Sequence, residues 1–226
     1  MKRLHCIVEG QTEVAVFTAI LSPYIYQKTG AYCLFTAIKH TGGGIVQFSK
    51  IFPELRKHLQ EKKIVTTFFD YYGIHKNHQF KNFQEAKINQ HNAQFGVDLL
   101  EKGMTQYLED YNVNTRYFIP YIQLHEFEAI LFSSPESFYD VYDNQEIVNY
   151  IQNIRNRYPN PEAINDSPQT APSKRIIKIV EKHNNTYEKV IDGQDIAELA
   201  GIEVILENCP RFRQWVNQLI EALNDL

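Results

Sequence analysis

Two acids in this sequence stand directly after runs of apolar residues. Glu9 follows residues 4–8, and Asp70 follows KIVTTFF at 63–69. An acid at the carboxyl end of a strand lies where open α/β sheets hold their ligands. Two carboxylates from neighbouring strand ends suit a hard cation such as Mg²⁺, which takes oxygen ligands and keeps water for an incoming phosphate. Such a cation stabilises charge developing on a phosphate, the logic of metal-assisted phosphodiester cleavage. The alternative for both acids is a purely structural one, helix-capping carboxylates in turns.

Further candidates surround this pair. Glu13 lies four residues beyond Glu9, one helical turn on, where it can face the same cleft or simply favour a helix start. His125, Glu126 and Glu128 fall in LHEFEAILF at 124–132, which reads as a helix opening with acids in its first turn, within reach of metal or proton-transfer work. Ser173-Lys174-Arg175 is a compact basic group at a helix start. Lys174 is its better phosphate contact, and Arg175 reads more as a solvated turn charge. The TGGG run at 41–44 has glycines that could bring backbone N–H groups to an anion, but it lacks the Lys-Ser/Thr ending of an ATP-binding loop, so ATP hydrolysis is excluded. Among the clustered aromatic residues, Tyr71 and Tyr72 are the best exposed candidates for base stacking, and buried packing accounts for most others.

The elements that must position these residues alternate. Residues 4–8, 32–38, 63–69 and 116–122 read as strands, the last interrupted by Pro120, which belongs at an edge or bulge. Residues 12–26 and 45–60 carry apolar side chains at helical spacing, with Pro53 inside the second or marking its first turn. Residues 74–84 lack a period and 86–110 look helical, so a helical insertion is expected near 74–112. From 133 onward the pattern is mostly helical, with short helices at 173–182, 193–200 and 209–223 and a Pro-rich break at 158–172. The expected architecture is α/β, a mostly parallel Rossmann-like sheet flanked by helices. It divides into a core over 1–133 and a helical C-terminal part over 134–226.

Composition bounds the function. With 226 residues, 43% hydrophobic and 22% charged, the chain can build its own core. A net charge of −4 excludes nucleic-acid binding by bulk electrostatics, so any such substrate must meet a local basic patch, a metal or a partner. Cys6, Cys33 and Cys209 are odd in number and have no zinc spacing, which fits a reducing compartment. The apolar run before Glu9 is too short for a signal peptide, and no membrane span is evident; a soluble, cytoplasmic protein is expected.

IVEGQTE at 7–13 resembles the first motif of TOPRIM domains, a strand-end glutamate, and FFDYYG at 68–73 resembles their later aspartate motif. Taken with LHEFEAILF, APSKR and CPRFRQW, in that order, the chain resembles a family of small stand-alone TOPRIM-like proteins of prokaryotes. That family includes the TOPRIM nuclease effector of the PARIS anti-phage system, which works with an ABC/AAA-type ATPase. The resemblance implies a metal-dependent nuclease in antiviral defence, cutting DNA or RNA, tRNA included, under control of an ATPase partner. Its expected site has Glu9, Asp70 and Glu126 as ligands of Mg²⁺ or Mn²⁺, Glu13 as further ligand or base, and Lys174 at the phosphate. A second copy of the chain is a further expected partner. The family's Asp-x-Asp pair is here Asp70-Tyr71-Tyr72, with tyrosine where the second acid would stand, and Glu126 and Glu128 are the candidates to replace it. The rival reading is a non-catalytic module of the same fold that docks on and regulates the ATPase.

Overall fold

The computed structural model describes residues 1–39, 44–88, 92–165 and 168–226. Strand β1 (Arg3–Val8) passes through Gly10 into a helical rod made of α1 (Gln11–Val16), one wider π turn (Phe17–Leu21) and α2 (Ser22–Thr29). Gly30, at φ 69, ends the rod in the left-handed conformation that glycine adopts without a Cβ penalty. The chain returns as β2 (Tyr32–Ala37), crosses over as α3 (Phe48–Leu59) and enters β3 (Ile64–Asp70), all seven residues of which are buried. Helices α4 (Phe83–Ile88) and α5 (Ala93–Asp110) precede two short strands, β4 (Phe118–Ile119) and β5 (Ile122–Gln123).

Every strand pairing is parallel. The order is β2-β1-β3-β4, with β5 continuing alongside β3. Since β2 lies on one side of β1 and β3 on the other, chain order reverses between β1 and β3. The carboxyl ends of these two strands therefore flank a topological switch point, where a crevice opens because the crossovers leave on opposite sides.

Side chains alternate across the sheet. Leu4, Cys6, Val8 and Phe68 join one apolar cluster, while Ile7, Val65 and Phe69 join another beneath α3 and α5. Helix α3 buries Phe48, Ile51, Leu55 and Leu59 at the expected spacing, and Pro53 sits inside it. On the first face the rod shares its core with the later helices: α6 (Ser137–Tyr142), α7 (Gln145–Arg155), α8 (Pro172–Lys182), α9 (Lys189–Ala200), α10 (Ile202–Asn208) and α11 (Pro210–Asn224). Trp215 of α11 is buried on that face and donates from Nε1 to Thr66 Oγ1 of β3 at 2.9 Å. No helix among the described residues is long and apolar enough to cross a membrane.

Several elements depart from the sequence reading, each for a local reason. Residues 116–122 make two separate two-residue strands rather than one, because Pro120 has no N–H for the ladder. The Thr67 hydroxyl fills the gap, accepting from Tyr121 N at 3.0 Å and donating to Tyr121 O at 3.1 Å. Residues 86–110 form two helices, α4 and α5. LHEFEAILF is not an α-helix: His125 has φ 68, Glu126 is extended, and a wholly buried 3-10 turn runs from Phe127 to Ser133.

Candidate functional site

At the switch point, Glu9 follows β1 and Asp70 is the last residue of β3. They line a cavity of 510 Å³ together with Gly10, Gln11, Thr12 and Glu13 from the start of α1 and Lys189 and Val190 from the start of α9. Ala37 at the end of β2, Ile38 and Gly44 also line it. Residues 41–43 of the TGGG run lie outside the described residues.

Glu9 and Glu13 are held by backbone N–H groups. Glu9 Oε2 accepts from Asp70 N at 3.1 Å, and Glu13 Oε2 reaches back to Gly10 N at 2.9 Å, satisfying an N–H that the helix start leaves unpaired. Gly73, after the two tyrosines, makes room for Glu9: a Cβ there would lie 3.1 Å from Oε1 and 3.3 Å from Oε2. Asp70 is buried and its Oδ1 has no hydrogen-bond partner among the described residues.

Burial without full pairing moves these acids upward. Desolvation raises Glu9 from 4.5 to about 7, opposed by the Asp70 N–H and reinforced by the negative charge of Glu13. Asp70 is pushed well above the ordinary aspartate range, first by burial and then by the charges of Glu9, Glu13 and Glu128. Carboxylates raised this way bind protons more readily than free acids, and a cation would compete with those protons for the same oxygens.

Glu128 and Lys189 complete the cluster. Glu128 is 0% exposed in the 3-10 turn, and Lys189 Nζ lies 2.8 Å from its Oε1. Burial raises Glu128 even so, because one half-exposed ammonium does not offset full desolvation. For Lys189 burial works against the charge, but the Glu128 carboxylate more than compensates and holds the ammonium above its usual range. The start of α9 is fixed by Asp192, whose Oδ2 accepts from Glu188 N and from Tyr142 OH. Gly193 lets α9 lie close to α1; a Cβ there would be 3.4 Å from the Thr12 methyl. Lys189 carries no motif visible in the sequence, and its place at the cavity depends on this helix packing.

The structure thus brings Glu9, Glu13 and Asp70 together, adds Lys189, and sets Glu128 beside them. Glu126 points elsewhere: its Oε2 accepts from Ser173 N at 3.0 Å, capping α8. Lys174 is exposed and lines a different cavity with Arg157, Gln169 and Lys178. Arg175 is not a solvated turn charge but is buried, donating to Thr170 O and Tyr158 OH. Tyr71 is likewise buried, and Tyr72 is half-buried with its ring against His125, so neither is an open stacking platform. The first arginine of CPRFRQW is also structural. Arg211 contacts Glu101 and Asp98 of α5, and Glu162 accepts from both Arg211 N and Phe212 N at the start of α11.

The division of labour between Glu126 and Glu128 is testable. Glu126→Ala should lower stability by about 1 kcal/mol, a typical cap loss, in urea denaturation. Calorimetric Mg²⁺ or Mn²⁺ affinity should stay within about twofold of wild type, since the carboxylate is committed to Ser173.

The C-terminal region of the Burkholderia pseudomallei OLD protein is similar in structure, with a TM-score of 0.48 at 14% identity over 98% of this chain and 97% of that one. The C-terminal region of the Xanthomonas campestris pv. campestris OLD protein gives 0.46 at 15% identity, over 100% and 95%. No curated protein matches the sequence. A family profile described as a domain of unknown function (DUF4276) matches residues 8–220, nearly the whole chain, and the protein belongs to that family.

Proposed function

We propose that the chain is a TOPRIM-type, Mg²⁺- or Mn²⁺-dependent nuclease whose phosphodiester chemistry takes place in the cavity between β1 and β3. The observation that carries this reading is Asp70: a buried carboxylate with an unpartnered oxygen, set against Glu9 at the switch point of a parallel sheet. An all-carboxylate donor set suits a hard divalent cation, and an orphaned buried oxygen is what such an ion would satisfy. The order of the EGQTE and DYYG motifs supports the same assignment.

Glu9 and Asp70 would hold the ion, with Glu13 lining the same cavity and Glu128 adding negative potential behind it. When bound, the ion supplies charge stabilisation at a phosphoryl oxygen and activation of water. Glu13 keeps the start of α1 in place through Gly10 N, and in the conformation described it has one oxygen left for solvent or ligand. Lys189 is the only basic side chain lining the cavity among the described residues, and its half-exposed ammonium is positioned to receive a phosphate oxygen while Glu128 keeps it charged. That gives Lys189 the phosphate-contact role that the sequence suggested for Lys174. The role in antiviral defence, the ATPase partner and the nucleic-acid substrate, DNA or RNA, extend from the motif resemblance.

Cleavage of supercoiled plasmid and of tRNA by the purified chain, with Mg²⁺ or Mn²⁺, tests the proposal. Wild type should cut at least one of them, and Glu9→Gln should lose at least about 100-fold in rate. Lys189→Met should lose at least about tenfold while binding the cation no more weakly, since it removes a positive charge beside the acids. Failure of wild type to bind either cation would instead favour the non-catalytic regulatory module.

A further inference from the structure

A second group of metal-binding residues lies away from the acidic cavity, on the sheet face covered by α3. His5 is in the middle of β1, four residues before Glu9 and so about 13 Å from it along the strand. Glu54 and His58 are one turn apart on α3, the spacing that places two side chains on one helix face. One ligand atom from each of the three residues falls within 4.8 Å of the others. From this juxtaposition we propose that His5, Glu54 and His58 form a site for a divalent transition metal of the Zn²⁺ class, independent of the proposed nuclease centre.

The donors decide the metal. Two imidazoles and one carboxylate select Zn²⁺ or its neighbours over Mg²⁺, and three protein ligands leave a position for water. His5 is 3% exposed, and its Nε2 is hydrogen bonded to Thr36 Oγ1 at 2.9 Å. Its Nδ1 is buried with no partner among the described residues, an orphan that a metal would satisfy. Thr36 acts as the outer partner that fixes the ring of a metal-ligating histidine. Burial lowers His5 to about 3, so this ring is neutral at physiological pH, and with Nε2–H donating to Thr36 Oγ1 its Nδ1 carries the free lone pair.

Closing the site requires the His58 side chain to rotate. His58 Nε2 lies 3.9 Å from Glu54 Oε1, and the His5 and His58 rings stack with centroids 3.7 Å apart. Ligand atoms around tetrahedral Zn²⁺ are about 3.3 Å apart and an imidazole ligates in its ring plane, so the glutamate must draw closer and the His58 ring must turn out of its stack on His5 to aim Nε2 at the ion. Lys63 opposes this: its Nζ lies 2.7 Å from His58 Nδ1. Ligation through Nε2 leaves the ring proton on Nδ1, so the ammonium must turn fully to Glu61, to which it is already paired at 3.4 Å. Lys63 is therefore a built-in brake on metal affinity.

The test is a Zn²⁺ titration of the full chain against a chromogenic chelator, with excess Mg²⁺ present to occupy the acidic cavity, alongside Co²⁺ absorption spectra. Wild type should take one Zn²⁺ per chain and give visible Co²⁺ bands. His58→Ala and Glu54→Gln should each weaken Zn²⁺ binding at least about tenfold and lose the bands. Lys63→Met, which keeps the side-chain length, should tighten binding several-fold. Absence of binding in wild type would overturn the proposal, as would an affinity unaffected by His58→Ala and Lys63→Met.

Discussion

Asp70→Asn is expected to separate activity from stability in opposite directions. Cleavage should fall by at least about 100-fold, because an amide is a poor ligand for a hard cation. The metal-free protein should nevertheless melt about 5 °C higher at pH 8, as relief of one or two kcal/mol does in a chain of this size. The gain arises because Asp70 is buried among Glu9, Glu13 and Glu128 with an oxygen left unpaired.

The sign with pH follows from linkage. Glu9 and Asp70 have folded values above their unfolded ones, so the folded chain binds protons that the unfolded chain releases. Their stability contribution is complete at low pH and is lost as pH rises, for Glu9 between 4.5 and about 7. The advantage of Asp70→Asn should therefore shrink at pH 5. Added Mg²⁺ or Mn²⁺ should raise the melting temperature of wild type more at pH 8 than at pH 5.5, because protons compete for the same oxygens. Scanning calorimetry at the two pH values checks both, and a variant no more stable than wild type at pH 8 would refute the electrostatic account.

Arg211→Leu should give the largest loss of stability, about 3 kcal/mol at pH 8. The guanidinium joins α11 to Glu101 and Asp98 of α5, donates to Ile122 O at 3.4 Å and lies over the Tyr121 ring, with its centre 5.1 Å from the ring centroid. Glu101 Oε1 also accepts from Ile122 N at 2.8 Å. Burial holds Glu101 at about 7 even with Arg211 beside it, and removing the arginine moves it higher. The orphaned acid can then take up a proton, so the cost of the substitution should be smaller at pH 5.5 than at pH 8. Urea denaturation at both values, together with recovery of much of the loss in the Glu101→Leu/Arg211→Leu double variant, tests the pairing. An equal cost at the two pH values would show that Glu101 is not the partner that matters.

The legible parts of this protein were those set by local pattern. Apolar runs ending in Glu9 and Asp70 specify strands whose ends carry acids. The apolar spacing of residues 48–59 specifies a helix with one buried face. The composition of residues 124–132 suits a helix, whereas His125 adopts a left-handed conformation and residues 127–133 are buried on all sides. As a result Glu126 and Glu128, two positions apart, serve different helices: one caps α8, the other faces Lys189 at the start of α9.

What the sequence determined by itself was the alternation of strands and helices, and with it the position of Glu9 and Asp70 at strand ends, since both follow from the period of apolar residues. Tertiary structure alone decided that β1 and β3 are neighbours at the reversal of strand order, which makes two acids distant in sequence into one site. It also decided the charge at that site. Lys189 arrives there through packing of α9 on α1, and the raised acids owe their shift to desolvation, a property of the folded surroundings that no residue carries alone.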